Sequence, residues 1–245
     1  MFSGRYEMAG CVFDLQSDHE YVHRMCADYL SSSAPDFSLK IDAEMMERER
    51  MRSRAQRERE GLPPMEFPDD YLESLATYRE LSSRLVAYDT LLFHGSVVAV
   101  DGQAYLFTAK SGVGKSTHVS LWRKLLGDRA KMVNDDKPLI RMSGDRPIVY
   151  GTPWDGKHHL SANVSVPLRA VCLLERSETN HIERIASEEA CSFLLSQSFM
   201  PSERESLLSS LALIDRLSKR VSLYRLGCNM ELAAAELSYG TMSAE

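Results

Sequence analysis

The stretch FTAKSGVGKST, residues 107–117, decides how the rest of the chain is read. A phosphate-binding loop works because consecutive backbone N–H groups point inward, the following helix offers its positive end, and a lysine spans the terminal phosphates. Gly112 and Gly114 supply the flexibility, Lys115 the charge, and Ser116 or Thr117 a hydroxyl for a metal ion. Ala109 stands where the pattern has its first glycine, a departure of one methyl group that matters only if the position needs a positive φ. The candidate nucleotide-binding residues are therefore Ala109, Lys110, Ser111, Gly112, Val113, Gly114, Lys115, Ser116 and Thr117. The competing reading is a glycine-rich turn that merely joins a strand to a helix.

Context favours the loop. Upstream, LLFHGSVVAVDGQAYLF holds two apolar runs, 91–100 and 104–107, separated by Asp101-Gly102, a strong hairpin signal. A strand thus enters the loop directly. Downstream, THVSLWRKLLG places Val119, Trp122 and Leu125 or Leu126 at helical spacing and ends at Gly127, a natural C-cap. AKMVNDDKPLIRM then reads as a short strand closing on two aspartates and a second short strand; PLRAVCLLER is rich enough in apolar residues for a central strand. Two helices are predicted at 187–199 and 202–219, then a strand at VSLYRL and a terminal helix after Cys228.

Ahead of the loop, Tyr71, Leu72, Leu75, Tyr78, Leu81 and Leu85 recur at helical spacing behind Asp69 or Asp70 as N-cap. The first 60 residues alternate YEMAGCVFDL, a helical HEYVHRMCADYL and a strand-like PDFSLKID, a small α+β element. AEMMERERMRSRAQREREGLPP is charged almost throughout, so it reads as a solvated helix or a linker. The expected organisation is a small N-terminal α+β element and charged helix at 1–64, and an α/β domain built around the loop at 65–245.

Composition narrows the function classes. The 245 residues are 44% hydrophobic and carry 29 basic against 35 acidic side chains, net −6, which gives no electrostatic reason to bind nucleic acid or an anionic membrane. No stretch approaches the ~20 apolar residues of a membrane span, and the N-terminus lacks the apolar core of a signal peptide, so a cytoplasmic protein is expected. Cys11, Cys26, Cys172, Cys191 and Cys228 are scattered and odd in number, suggesting reduced thiols and neither a disulfide framework nor a zinc site.

Asp135 and Asp136 sit at the end of a strand one helix beyond the loop, where a nucleotide site needs a carboxylate for magnesium. Two adjacent acids allow one to orient the hydrated metal and the other to accept the proton of an attacking hydroxyl, unless one is only a turn or cap residue. In YGTPWDGKHHL, 150–160, Lys157 is placed to neutralise a transferring phosphoryl group and Asp155 to add a metal ligand; the alternative is a surface turn with Trp154 packed inward.

FHGSVVAVDG (93–102), AKSGVGKS (109–116) and VNDD (133–136) resemble the successive motifs of the catalytic domain of HPr kinase/phosphorylase, with Ala109 fifteen residues after His94 as in that pattern. The resemblance spans about 45 residues. It implies an α/β P-loop fold related to ATP-dependent phosphoenolpyruvate carboxykinase, with ATP and Mg²⁺ as cofactors. It further implies that Lys115 contacts the transferred phosphate, Ser116 binds magnesium, His94 lies beside the phosphates, Asp136 accepts the proton and Asp135 stands near the metal. The Glu-Ile-Arg-Gly substrate segment and the N-terminal domain of that family have no counterpart here. Asn-Asp-Asp-Lys-Pro and Gly-Thr-Pro-Trp-x-Gly-Lys instead resemble an HPr kinase-related bacterial group, which implies a different acceptor.

The expected function is an ATP-dependent serine kinase acting on a protein or peptide, with Asp136, His94, Lys115 and Lys157 as catalytic candidates and Ser116 and Asp135 as metal ligands. The resemblance also raises the expectation of a homo-oligomer. Two other classes stay open: a nucleotide-binding regulatory module without transfer, and a carboxykinase-like enzyme acting on a small organic acid.

Overall fold

The first apolar stretch folds as two strands where its sequence reads as one. In this computed structural model, which describes residues 1–110, 112–144 and 146–244, β1 (Phe2–Met8) and β2 (Cys11–Ser17) pair antiparallel across Ala9-Gly10. Both turn residues have positive φ, 51° and 70°, the twist that a two-residue hairpin needs. A short helix, α1 (Tyr21–Met25), leads to β3 (Phe37–Lys40), which joins β2 in parallel. Tyr6, Phe13, Leu15, Val22 and Leu39 are buried.

The charged stretch is a helix, α2 (Ala43–Arg59), capped by Asp42, whose carboxylate accepts from the Met45 amide at 2.9 Å. Its one buried side chain is acidic: Glu49 is held between Arg52 and Arg79, the latter at 2.8 Å. Arg79 belongs to α3 (Asp69–Leu85), which packs on α1 and α2. Glu73 of α3, fully buried, accepts from the backbone N–H of Asp18 (2.6 Å) and His19 (2.9 Å). These bonds tie α3 to the N-terminal strands, and the chain forms two compact units, Met1–Leu85 and Val86–Glu245.

In the second unit the apolar run 91–100 is broken into β4 (Thr90–Leu92) and β5 (Ser96–Val100). Between them the amides of Phe93, His94 and Gly95 leave the sheet for the carbonyls of Pro138, Gln197 and Asp136. A Cβ on Gly95 would stand 2.9 Å from a Leu106 methyl and 3.0 Å from the Phe107 carbonyl oxygen, so a larger residue there would force its neighbours to shift. β5 turns at Asp101-Gly102 into β6 (Gln103–Thr108), followed by α4 (Lys115–Leu126), β7 (Ala130–Asn134), β8 (Leu139–Ser143) and β9 (Arg146–Tyr150). Then come β10 (Ser165–Arg176), β11 (His181–Arg184), α5 (Ser187–Gln197), α6 (Arg204–Ser218), β12 (Ser222–Cys228) and α7 (Leu232–Ser243).

The curled sheet runs β4-β8-β9-β10-β6-β5-β7, with β12 pairing β10 and β11. β6, β10 and β12 are mutually parallel; the other pairings are antiparallel. Val97, Leu106 and Val171 pack into one apolar cluster with Leu194, Leu213 and Leu217 of α5 and α6. Their neighbours Val98, Phe107 and Cys172 pack into another with Trp122 of α4 and Ala235 of α7. Covering on both faces explains why these strands read as continuous apolar runs without alternation. Among the described residues, no helix is long and apolar enough to cross a membrane.

One polar group is enclosed between α4 and α7. Ser238 Oγ accepts from Trp122 Nε1 at 2.8 Å and lies 3.2 Å from the Ala235 carbonyl and 3.1 Å from His118 Nε2. Burial holds the His118 pKa down to about 4. An unfolded histidine titrates near 6.5, so the unfolded chain binds the proton first and stability falls as pH drops from about 6.5 towards 4, by about 3 kcal/mol for this group. Denaturant midpoints across that range should fall further for the wild type than for His118→Gln, which keeps a donor to Ser238 but does not titrate.

Candidate active site

The glycine-rich loop leaves β6 at Thr108 and ends at Gly114, the N-cap of α4. Gly112 (φ 78°) and Gly114 (φ 120°) hold backbone conformations that side chains disfavour. Ala109 is not among the positive-φ residues; it is 1% exposed and its methyl group packs with Phe107 and Val119. The departure from the pattern therefore carries no backbone strain, and the methyl fills core space. Lys110 accepts the Val113 amide at its carbonyl (3.3 Å), and Arg176, at the end of β10, donates to the Gly112 carbonyl (2.5 Å). Ser111 lies outside the described residues. No side chain caps α4, and its first α-type bond is His118 N–H to the Gly114 carbonyl, so the amides at Lys115, Ser116 and Thr117 lack intrahelical acceptors. An uncapped N-terminus with this polarity suits an anion.

Asn134 ends β7 fully buried and organises the turn after that strand. Its Oδ1 accepts from the amides of Asp136 (2.8 Å) and Lys137 (2.6 Å), and its Nδ2 donates to the Thr152 carbonyl (2.9 Å). This folds Asp135-Asp136-Lys137 tightly onto the asparagine side chain. Asp135 is 6% exposed; its Oδ1 accepts from Ser96 Oγ at 2.7 Å, while Oδ2 has no hydrogen bond among the described residues. Asp136 has His94 Nε2 3.2 Å from Oδ1 and Lys137 Nζ 2.8 Å from Oδ2. Burial pushes the Asp136 carboxyl up, but the hydrogen bond from His94 and the charge and hydrogen bond of Lys137 outweigh it and bring the pKa to about 2. The Lys115 ammonium is pulled below its ordinary value, first by burial; Asp136 and Asp135 act against the shift, and Lys137 adds to it. His94, Lys115, Asp135 and Asp136 therefore form one electrostatic cluster beside the loop.

The 150–160 segment is clamped onto this cluster. Thr152, fully buried, donates from Oγ1 to the Lys137 carbonyl (2.8 Å) and accepts from the Trp154 amide (3.3 Å). Trp154 packs inward at 7% exposure. A Cβ on Gly156 would lie 3.2 Å from the Asp136 Cβ, so this loop rests directly on the aspartate. At Gly151 a Cβ would meet the carbonyls of Ala162 at 2.0 Å and Val133 at 2.6 Å, both backbone. Gly151→Ala should cost about 3 kcal/mol, seen as a lower denaturant midpoint with an unchanged slope. Lys157 lies on the single 3-10 turn Gly156–His158, exposed, with no hydrogen bond or ion pair among the described residues. Asp155 is committed to its own loop, accepting from Ser161 Oγ (2.8 Å) beside His159 Nδ1 (3.2 Å). Among the described residues no three His, Cys, Asp or Glu side chains gather as a metal group, the adjacent His158 and His159 included.

The cation paired with Asp136 is thus Lys137, which sequence reasoning did not single out; its signal was its position immediately after the acid pair, on a turn that curls it back. Ser96 and Asn134, which hold Asp135 and the turn, were also missed.

The family model described as SynChlorMet cassette protein ScmC matches residues 74–232. No curated protein matches the chain. Among solved structures, the Hpr(Ser) kinase/phosphatase from Coxiella burnetii aligns with 62% of this chain and 97% of its own, at 12% identity and a TM-score of 0.35, a similarity too low to carry a fold or an activity.

Proposed function

The chain belongs to the family of SynChlorMet cassette protein ScmC, and from that premise we propose that it is an ATP-dependent kinase that transfers the terminal phosphoryl group to a hydroxyl, that of a serine in a protein or peptide. The observation that carries this reading is the grouping of Lys115, at the uncapped start of α4, with the ionised Asp136 held by His94 and Lys137. A simple nucleotide-binding module needs the first of these and has no use for the second.

The residues fit magnesium. Ser116 offers a hydroxyl in the first turn of α4, and Asp135 keeps one carboxylate oxygen unbonded among the described residues. Magnesium is commonly held by one or two such oxygens with phosphates and waters completing the shell. When bound, it would neutralise charge on the β- and γ-phosphates.

In the transfer, the substrate hydroxyl oxygen forms a bond to the γ-phosphorus as the bond to the β–γ bridging oxygen breaks and ADP leaves; the hydroxyl proton passes to Asp136. With a pKa of about 2, Asp136 is a weak base. Its work is to orient the hydroxyl and take the proton late, which suits a loose transition state in which the nucleophile gains acidity as its bond forms. Each carboxylate oxygen already bonded to His94 or Lys137 retains a second lone pair for the hydroxyl. Lys115 stabilises the transferred group, and a half-buried cation does so more strongly than one in water. Lys157, exposed on the loop that rests on Asp136, is available to approach the phosphates only with the nucleotide and acceptor in place.

The test is incubation with γ-labelled ATP and magnesium and a library of serine-, threonine- and tyrosine-containing peptides. Phosphoserine is the expected product. ATP binding without any labelled acceptor would replace the kinase with a regulatory module.

A further inference from the structure

A cavity of about 520 Å³ opens on the other side of the glycine-rich loop, and the proposed function leaves it unused. It lies at the carboxyl ends of the three parallel strands: the loop after β6 contributes Val113, the end of β10 Leu174 and Arg176, and the end of β12 Cys228 and Met230, with Leu121 of α4 completing the wall. Crevices at the carboxyl ends of parallel strands are where open α/β sheets take their ligands. Resting on the kinase reading, we infer that this cavity receives the adenine base of the nucleotide whose phosphates lie on the loop.

Direction supports the assignment. In the sheet, β7 with Asp135 and Asp136 lies beyond β5 on one side of β6, while β10 and β12 lie on the other. A nucleotide with its terminal phosphate at Asp136 and its middle phosphates over the loop has its base directed away from β7, towards the ends of β10 and β12. Arg176 joins the two parts, since it lines the cavity and donates to the Gly112 carbonyl of the loop.

The lining has the chemistry of a base pocket, apolar walls with a few polar groups. Leu121, Leu174, Val113 and the sulfur-bearing Cys228 and Met230 present aliphatic and polarisable surface to a flat ring. Met230 is 64% exposed, an apolar side chain held in water at the rim that a bound base would cover. Burial raises the Cys228 thiol above its ordinary pKa, so it serves as wall and not as nucleophile. His118 also lines the cavity, and its buried Nδ1 has no hydrogen-bond partner among the described residues.

The test compares magnesium-ATP with magnesium-tripolyphosphate by titration calorimetry on wild type, Cys228→Phe and Met230→Glu, together with 8-azido-ATP photolabelling of the wild type. ATP should bind the wild type at least about 30-fold more tightly than tripolyphosphate. Cys228→Phe should weaken ATP about tenfold or more, and Met230→Glu about threefold, with tripolyphosphate within about twofold for both. The photolabel should map to peptides containing 113–121, 174–178 or 228–230. Should Cys228→Phe fail to fold, Met230→Glu at its exposed site and the photolabel still decide. Equal affinities for ATP and tripolyphosphate, or a label placed elsewhere, would overturn the base pocket while leaving the phosphate loop intact. No binding of either compound to the wild type would overturn the reading of the loop and the pocket with it.

Discussion

Asp136→Asn should leave ATP binding within about twofold of wild type and lower phosphoryl transfer about a thousandfold, the scale on which a positioned proton acceptor contributes. The substitution keeps the shape of the side chain, so the turn on Asn134 and the contact with Gly156 persist. It removes the negative charge that His94 and Lys137 grip and the lone pairs on one of the two terminal atoms. Single-turnover transfer alongside a binding titration separates the two effects, and unchanged transfer would remove Asp136 from the mechanism. The pH dependence carries a second signature. Because the folded pKa is about 2 against an ordinary 3.8, Asp136 contributes stability that is present above about 3.8 and is lost as pH falls towards 2. Its ionisation should set an acid limit to the proposed transfer well below neutrality. Lys137→Ala or His94→Ala takes away part of what opposes burial, so the acid limb should move to higher pH, which a residue with a purely structural role would not cause.

Lys115→Met should reduce ATP affinity about 100-fold, the loss expected when a charged hydrogen-bonding partner of a phosphate is removed. The apo protein should be no less stable than wild type. Burial is the largest influence on the Lys115 ammonium, and the net effect lowers its pKa, so the folded chain holds this cation against the preference of its surroundings. Methionine keeps the apolar stem and discards the desolvated charge. Thermal melts without and with ATP should show an equal or higher Tm for the variant alone, and a ligand-induced rise in the wild type that the variant lacks. A variant that melts early and still binds ATP would make Lys115 a structural residue.

The strand–loop–helix unit was legible because three local rules agree there: an apolar run bounded by Asp101-Gly102, glycines flanking the turn, and a helical apolar face ending at Gly127. The acid pair was legible from its distance to the loop. What the sequence hid depends on contacts between distant segments. Nothing local distinguishes Asn134 from an ordinary turn asparagine until its amide meets Thr152, and Ser96 becomes a partner of Asp135 only because β5 and β7 pair. The attachment of α3 was not legible because the helix is amphipathic in either setting, and only the buried Glu73 shows that it binds the N-terminal strands. The Ala9-Gly10 hairpin was missed because alanine rarely takes a positive φ, so the turn carries half its usual signal.

The parallel pairing of β6, β10 and β12 has a consequence for how the molecule comes into being. Ala104 meets Leu168, and Ala170 meets Ser222, so two long stretches of chain must be closed before either ladder gains a hydrogen bond. Such closures lose entropy before contacts compensate, and topologies built from them fold slowly. The hairpin of β5 and β6 forms early by comparison, because its partners are neighbours in the chain. A nascent or refolding molecule therefore carries its glycine-rich sequence well before that sequence has walls, and the cavity at the ends of the parallel strands closes only with the arrival of β12.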